Sequence, residues 1–400
     1  MDVLLAPCVV SPAESAVANR VEGLGGEELL RAWTDAAPHD RVDLCELSDG
    51  GAGFATLVGH RAETVQRGRD PLVGSSVARP APGVVLVGGT AYVDSSLGLQ
   101  GEHGSAGVGE QLLAALGAGA SRIVLGLAGP DTRVVPDAGL GLLATLGVAG
   151  LRGRALLDSG PLADPDEDSS AITADDLVGL SDALGLFERV DLVGACADDL
   201  QLLGLHGTSA GAGEAGALTP ADAQRLERAV GQLAHAVWSA ATASRRPDLL
   251  SVGSAPAPGR PRDVTGLPGA GAGGGTGWLV ALAGGRLLPG AAVHADAVDL
   301  RARASAADLV VTTVDHLDAS TFHGSGAKQA VSAAAEVGVP SVVVAGTSMM
   351  SRRESSSAGI SAVYVASDRP RADADTSPVD LEDVVRRVAR SWSPVRTAGR

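Results

Sequence analysis

A chain of 400 residues exceeds what one hydrophobic core usually serves, so two domains are expected. A formal net charge of −16 argues against a nucleic-acid partner, because phosphate binding needs a basic surface that releases counterions. Hydrophobic residues at 45% and charged residues at 20% mark a globular chain, while 2% aromatics and 54 glycines call for small aliphatic packing with close backbone approaches.

Short apolar, β-branched runs alternate with helical patterns along the chain, which reads as parallel sheet in an α/β protein. A strand at 3–5 comes first, followed by Ser11-Pro12-Ala13-Glu14, a capping box with proline at the first helical position. A helix at 27–33 and a strand at 41–47 lead into Ser48-Asp49-Gly50-Gly51-Ala52-Gly53. Residues 70–83, with Pro71, Pro80 and Pro82, read as a connection between domains. Strands at 84–87 and 122–127 flank a helix at 109–116. The second of these strands opens into Gly126-Leu127-Ala128-Gly129-Pro130-Asp131-Thr132 and then Asp137-Ala138-Gly139. The Pro- and Asp-rich stretch 160–170 reads as a solvated loop before a strand at 190–193 and a helix at 219–237. A second connection spans 244–275 and ends in glycines so dense that the backbone can approach a ligand and turn its N–H groups inward. Strands at 308–312, 341–345 and 362–365 alternate with helices at 327–337 and 379–392. Ser377 and Pro378 mark the start of the last helix, with Asp380 and Glu382 near its positive end.

Cys8, Cys45 and Cys196 lie far apart without metal-ligand spacing and fit a reduced compartment. No apolar run reaches the length of a membrane span, and the first residues lack the positive flank of a signal peptide, so a cytoplasmic protein with no membrane partner is expected. Four polar or glycine-rich loops follow expected strands, where doubly wound sheets bind ligands. They are 48–53, 126–141, 267–277 and Thr312-Thr313-Val314-Asp315-His316-Leu317-Asp318. Each taken singly is also readable as an ordinary turn or linker.

The order and spacing of these loops resemble the bacterial glycerate kinase family over nearly the whole chain. Residues 48–53 are similar to its Ala-Asp-Gly-Gly-Glu-Gly, and Gly107-Val108-Gly109-Glu110 to its Tyr-Gly-Val-Gly-Glu. Residues 126–147 resemble Gly-Gly-Ser-Ala-Thr-Asn-Asp-Gly-Gly, and 268–277 its Pro-Gly-Ala-Gly-Ala-Ala-Gly-Gly-x-Gly. The resemblance implies two α/β domains with mostly parallel sheets, one inserted into the other and the site in the cleft between them. Residues 1–80 plus 280–400 would form a flavodoxin-like domain, and 81–279 the inserted one. It implies ATP and Mg²⁺ as cofactors, and phosphoryl transfer to a hydroxyl of D-glycerate or a related small hydroxy acid. Asp49 and Asp318 would be the catalytic carboxylates, metal or base candidates, while Thr132 and Asp137 hold substrate. Gly269, Gly271, Gly273 and Gly274 would bind the nucleotide phosphates. The charged positions of the family's motifs depart most: Cys8 and Ser11 replace its opening Asp and Lys, Ala52 its Glu, and Ser325 the Lys of its late Gly-Lys. Lys328 is the only lysine. A binding or regulatory paralogue without turnover, and a kinase with a changed acceptor, stand as the alternatives.

Overall fold

The computed structural model describes residues 1–8, 26–67, 77–99, 104–129, 135–157, 172–243, 264–366 and 381–393. The capping box at 11–14, the loop at 160–170, Thr132, Ser377 and Pro378 lie outside the described residues. In chain order the strands are β1 (Asp2–Leu5), β2 (Arg41–Leu44), β3 (Val77–Ala81), β4 (Val84–Val87), β5 (Thr90–Asp94), β6 (Arg122–Leu127), β7 (Asp191–Cys196), β8 (Arg286–Pro289), β9 (Leu309–Leu317), β10 (Ser341–Ser348) and β11 (Ala362–Val365). The chain folds as an α/β protein of two compact units, residues 1–49 with 291–400, and residues 50–290 inserted into the first.

The first unit carries the sheet β11-β10-β9-β1-β2, parallel throughout. With the insertion left out of the count this is the order 2-1-3-4-5, the flavodoxin-like doubly wound arrangement. Both faces are covered, as a parallel sheet of Val and Leu requires. Val342 and Val344 point to one face and Val343 and Ala345 to the other, following the period of two. The first face packs Leu29 and Trp33 of helix Gly26–Ala36 against Val384, Val385 and Val388 of helix Leu381–Trp392. The second packs Ala327 and Val331 of helix Gly326–Val337 with Phe322 and Ile360.

The second unit carries the sheet β3-β4-β5-β6-β7-β8, antiparallel through β3, β4 and β5 and parallel from β5 to β8. Its core joins Ile123, Leu125 and Leu127 to Leu143, Leu151, Leu233 and Trp278. Residues 50–80 and 280–290, placed by sequence with the first domain, fall in this unit. Helix Phe54–Arg67 packs on β4 and β5, and β8 pairs with β7. The strands that sequence reading passes over are β3, β5 and β8. In β3 and β8 a proline or arginine interrupts the apolar pattern, tolerable because both are edge strands. No helix among the described residues is long and apolar enough to cross a membrane.

Candidate functional site

In the first unit β1 leads to β2 on one side while β9 leads to β10 on the other, so the adjacent β1 and β9 form a topological switch point. Ligands of doubly wound sheets bind outside the carboxyl ends of strands at such a point. Two of the chain's polar segments, Ser48-Asp49 and the one ending at Asp318, lie there. After β1, Cys8 forms a parallel bridge with Leu47, which carries β2's direction on to Ser48 and Asp49. Gly326 permits this approach, since a Cβ there would lie 2.8 Å from Leu47 Cβ and 3.1 Å from Cys8 Sγ. The Ser48 amide donates to Nδ1 of His294, a histidine with no exposed surface, at 3.3 Å. Burial lowers the pKa of His294 to about 3, so the ring is neutral and its nitrogen is fit to accept that amide. Asp49, half-buried, follows directly on this anchored amide.

The Cys8 thiol is held toward its protonated form. Burial first, and the charge of Asp49 second, push its pKa up to about 12 against a bond to Thr312 Oγ1 at 3.9 Å. Asp318 follows β9, its side chain 26% exposed, and its Oδ2 lies 3.3 Å from His316 Nε2. On the other side of the same ring, His316 Nδ1 is 2.7 Å from Thr347 Oγ1 on β10. Asp49 and Asp318 therefore belong to the carboxyl ends of β2 and β9, with β1 between those strands in the sheet. Lys328 places its ammonium 5.6 Å from the centroid of the Phe322 ring.

In the second unit Asp137 and the glycine-rich segment come together beyond β6 and β7. The Gly273 amide donates to Ala128 O at 2.8 Å, Ala138 to Gly274 O at 3.1 Å and Gly271 to Leu200 O at 2.8 Å. Trp278 Nε1 adds a bond to Ala138 O at 2.9 Å. Gly269, Gly273, Gly274 and Gly275 have positive φ, which an L side chain rarely adopts. Gly271 is required by proximity, since a Cβ would meet Gln201 O at 2.3 Å. The amides of Gly271, Gly273 and Gly275 are bonded within the unit, so much of this segment's glycine content serves packing.

The Asp137 carboxylate accepts from Ser105 N and Oγ at 2.9 Å each and from Gly139 N and Gly141 N at 3.0 Å each. Burial raises its pKa against the pull of those donors. These bonds bind together the loop before helix Ala106–Gly117 and the turn before helix Leu140–Thr145, and hold Ala138 at φ 53°. Asp94, at the end of β5, accepts from Gly53 N at 2.7 Å and Ser96 N at 3.0 Å, and burial raises its pKa too. Sequence reading misses Asp94 and Ser105. The only signal for Asp94 is one acidic residue closing the apolar run 90–94, and Ser105 carries none before the fold places it beside Asp137.

No group of three or more His, Cys, Asp or Glu among the described residues is placed to hold a metal ion. A magnesium ion that travels with a nucleotide needs only one or two carboxylates, its other ligands being phosphate and water, and Asp49 fits that requirement.

The glycerate kinase family model matches residues 26–393. The chain belongs to the glycerate kinase family. Among individual relatives, an uncharacterised protein of Mycobacterium tuberculosis is 28% identical over 384 residues, covering 90% of this chain and 83% of that one. A glycerate kinase of Bacillus subtilis is 30% identical over 243 residues, covering 60% of this chain and 56% of its own length. A solved structure from Salmonella typhimurium LT2, assigned as a glycerate kinase 2, matches with a TM-score of 0.57 at 20% identity. It covers 98% of this chain and 97% of that chain. At that identity the likeness is one of fold, and it extends through both units.

Proposed function

We propose that this member of the family is an ATP-dependent phosphotransferase acting on a hydroxyl of D-glycerate or a related small hydroxy acid. The observation that carries the reading is the family match across residues 26–393. The switch point of the first unit supports it by supplying carboxylates at the carboxyl ends of β2 and β9. Phosphoryl transfer asks a protein mainly for positioning and charge neutralisation. Asp49 is the residue to hold magnesium, which when bound neutralises charge on the phosphates. Asp318, tied to His316, orients the acceptor hydroxyl and draws its proton. In the second unit the enclosed carboxylates of Asp137 and Asp94 keep the loops after β6 and β5 in place.

A second reading, weak turnover or a changed acceptor, is favoured by one feature. The chain's single lysine faces an aromatic ring, and Ser325 stands where the family pattern has lysine. Losing cationic contacts to a transferring phosphoryl group costs on the order of 10³-fold or more in rate for one arginine. Coupled ADP release with D-glycerate, ATP and Mg²⁺ tests the first reading beside an Asp318→Ala control. Turnover that disappears in the variant is expected; folded wild-type protein without turnover moves the assignment to the second reading.

A further inference from the structure

We propose that Thr347 is an activated nucleophile, with His316 as its proton acceptor and Asp318 as the residue that positions His316. The three side chains form a line: Thr347 Oγ1 to His316 Nδ1 at 2.7 Å, and His316 Nε2 to Asp318 Oδ2 at 3.3 Å. A carboxylate can only accept, so Nε2 carries the ring hydrogen and the lone pair of Nδ1 faces the hydroxyl. Hydroxyl, imidazole and carboxylate in that order are what a catalytic triad is recognised by, whatever the fold or chain order. His316 is the one hydrogen-bond partner of the Thr347 hydroxyl among the described residues.

The backbone fixes this geometry. His316 and Thr347 are paired across parallel strands β9 and β10, so their side chains stand on one face. Gly346 lets the strands close at the adjoining residue, where a Cβ would lie 2.6 Å from Asp315 O and 2.9 Å from Asp315 Oδ1. Thr347 is half-buried beside an imidazole that is 39% exposed and Met349 that is 65% exposed, so a reagent can approach from this side.

The electrophile that suits this hydroxyl is tetrahedral phosphorus. With a nucleoside triphosphate, the Oγ1–P bond forms and the P–O bond to the β-phosphate breaks. The nucleoside diphosphate leaves and the hydroxyl proton passes to Nδ1. With a fluorophosphonate the same bond forms, P–F breaks and fluoride leaves. That second reaction needs neither nucleotide nor metal, so it tests Thr347 whether or not D-glycerate is phosphorylated.

The experiment treats the full chain at neutral pH with a biotinylated fluorophosphonate and follows intact mass and the tryptic peptide 329–352. One adduct on Thr347 is expected, absent from Thr347→Val and present in Thr347→Ser. His316→Gln is expected to slow labelling about 10²-fold or more, the contribution of a positioned base. Circular dichroism establishes that each variant is folded. Wild-type and Thr347→Ser proteins that both resist labelling overturn the proposal. So do equal labelling of Thr347→Val and an unchanged rate in His316→Gln, which would leave the line of bonds a brace between strands.

Discussion

At the scale of single residues, three buried or enclosed groups tie together segments distant in the chain. Asp137 accepts four hydrogen bonds from Ser105, Gly139 and Gly141. Truncating it leaves those donors enclosed without partners. Asp137→Ala should therefore lose about 3 kcal/mol or more of stability in urea denaturation. Asp40 is the corresponding centre of the first unit, accepting from Met1 N at 3.1 Å, Trp33 Nε1 at 3.0 Å and Ser393 Oγ at 2.6 Å. Burial alone would raise its pKa, but these donors bring it below the ordinary carboxylate value. His294 adds a pH dependence of the same sign. Its unfolded form takes up a proton near pH 6.5, whereas the folded ring resists until about 3. The unfolded state binds more protons in that window, so stability falls as pH drops through it, and Asp40 extends the loss below about pH 4. Asp94 and Asp137, with raised pKa values, contribute the opposite slope near the carboxylate range. His294→Asn keeps an acceptor for Ser48 and should flatten the slope from about pH 6.5 to 4.5, measured by denaturant unfolding at stepped pH.

At the scale of elements, the glycines divide into two kinds. At Gly277 a Cβ would sit 2.1 Å from Gly269 O, and at Gly271 2.3 Å from Gln201 O, with backbone atoms that cannot move aside cheaply. Gly277→Ala should cost about 2–4 kcal/mol, read as a drop in thermal midpoint. Gly231, inside helix Pro220–Ala243, has no atom near its virtual Cβ. There Gly231→Ala should raise stability by about 0.5–1 kcal/mol, because alanine has less backbone freedom to lose on folding. Opposite outcomes for two alanine substitutions would separate glycine as a packing necessity from glycine as a product of composition.

At the scale of the molecule, residues 50–290 form one unbroken stretch with a core of its own, while the first unit is assembled from two chain segments. A fragment of residues 50–290 should fold by itself and melt cooperatively by circular dichroism. A non-cooperative melt would show that the inserted unit depends on its host for stability. The two units differ in chemistry. The first presents Asp49, His316, Asp318 and Thr347 with partly open side chains, whereas in the second Asp94 and Asp137 are tied into the scaffold.

The sequence alone determined the α/β class, the family, and most of the central strands, because buried parallel strands need unbroken apolar runs that little else in a chain imitates. It also located the loops after strands 41–47, 122–127 and 308–312, since glycine and aspartate gather where a chain must turn at the end of a sheet. What it left open were edge strands such as Arg286–Pro289, whose exposed residues carry no pattern, and the points where the chain passes into and out of the insertion. Only the tertiary structure decided how similar residues divide their roles. Asp137 and Asp318 both follow strands in sequence, yet four donors enclose one and a half-exposed histidine faces the other. The pairing of His316 with Thr347 joins residues 31 apart through strand register, a relation set by which strands become neighbours and invisible in the spacing of either segment.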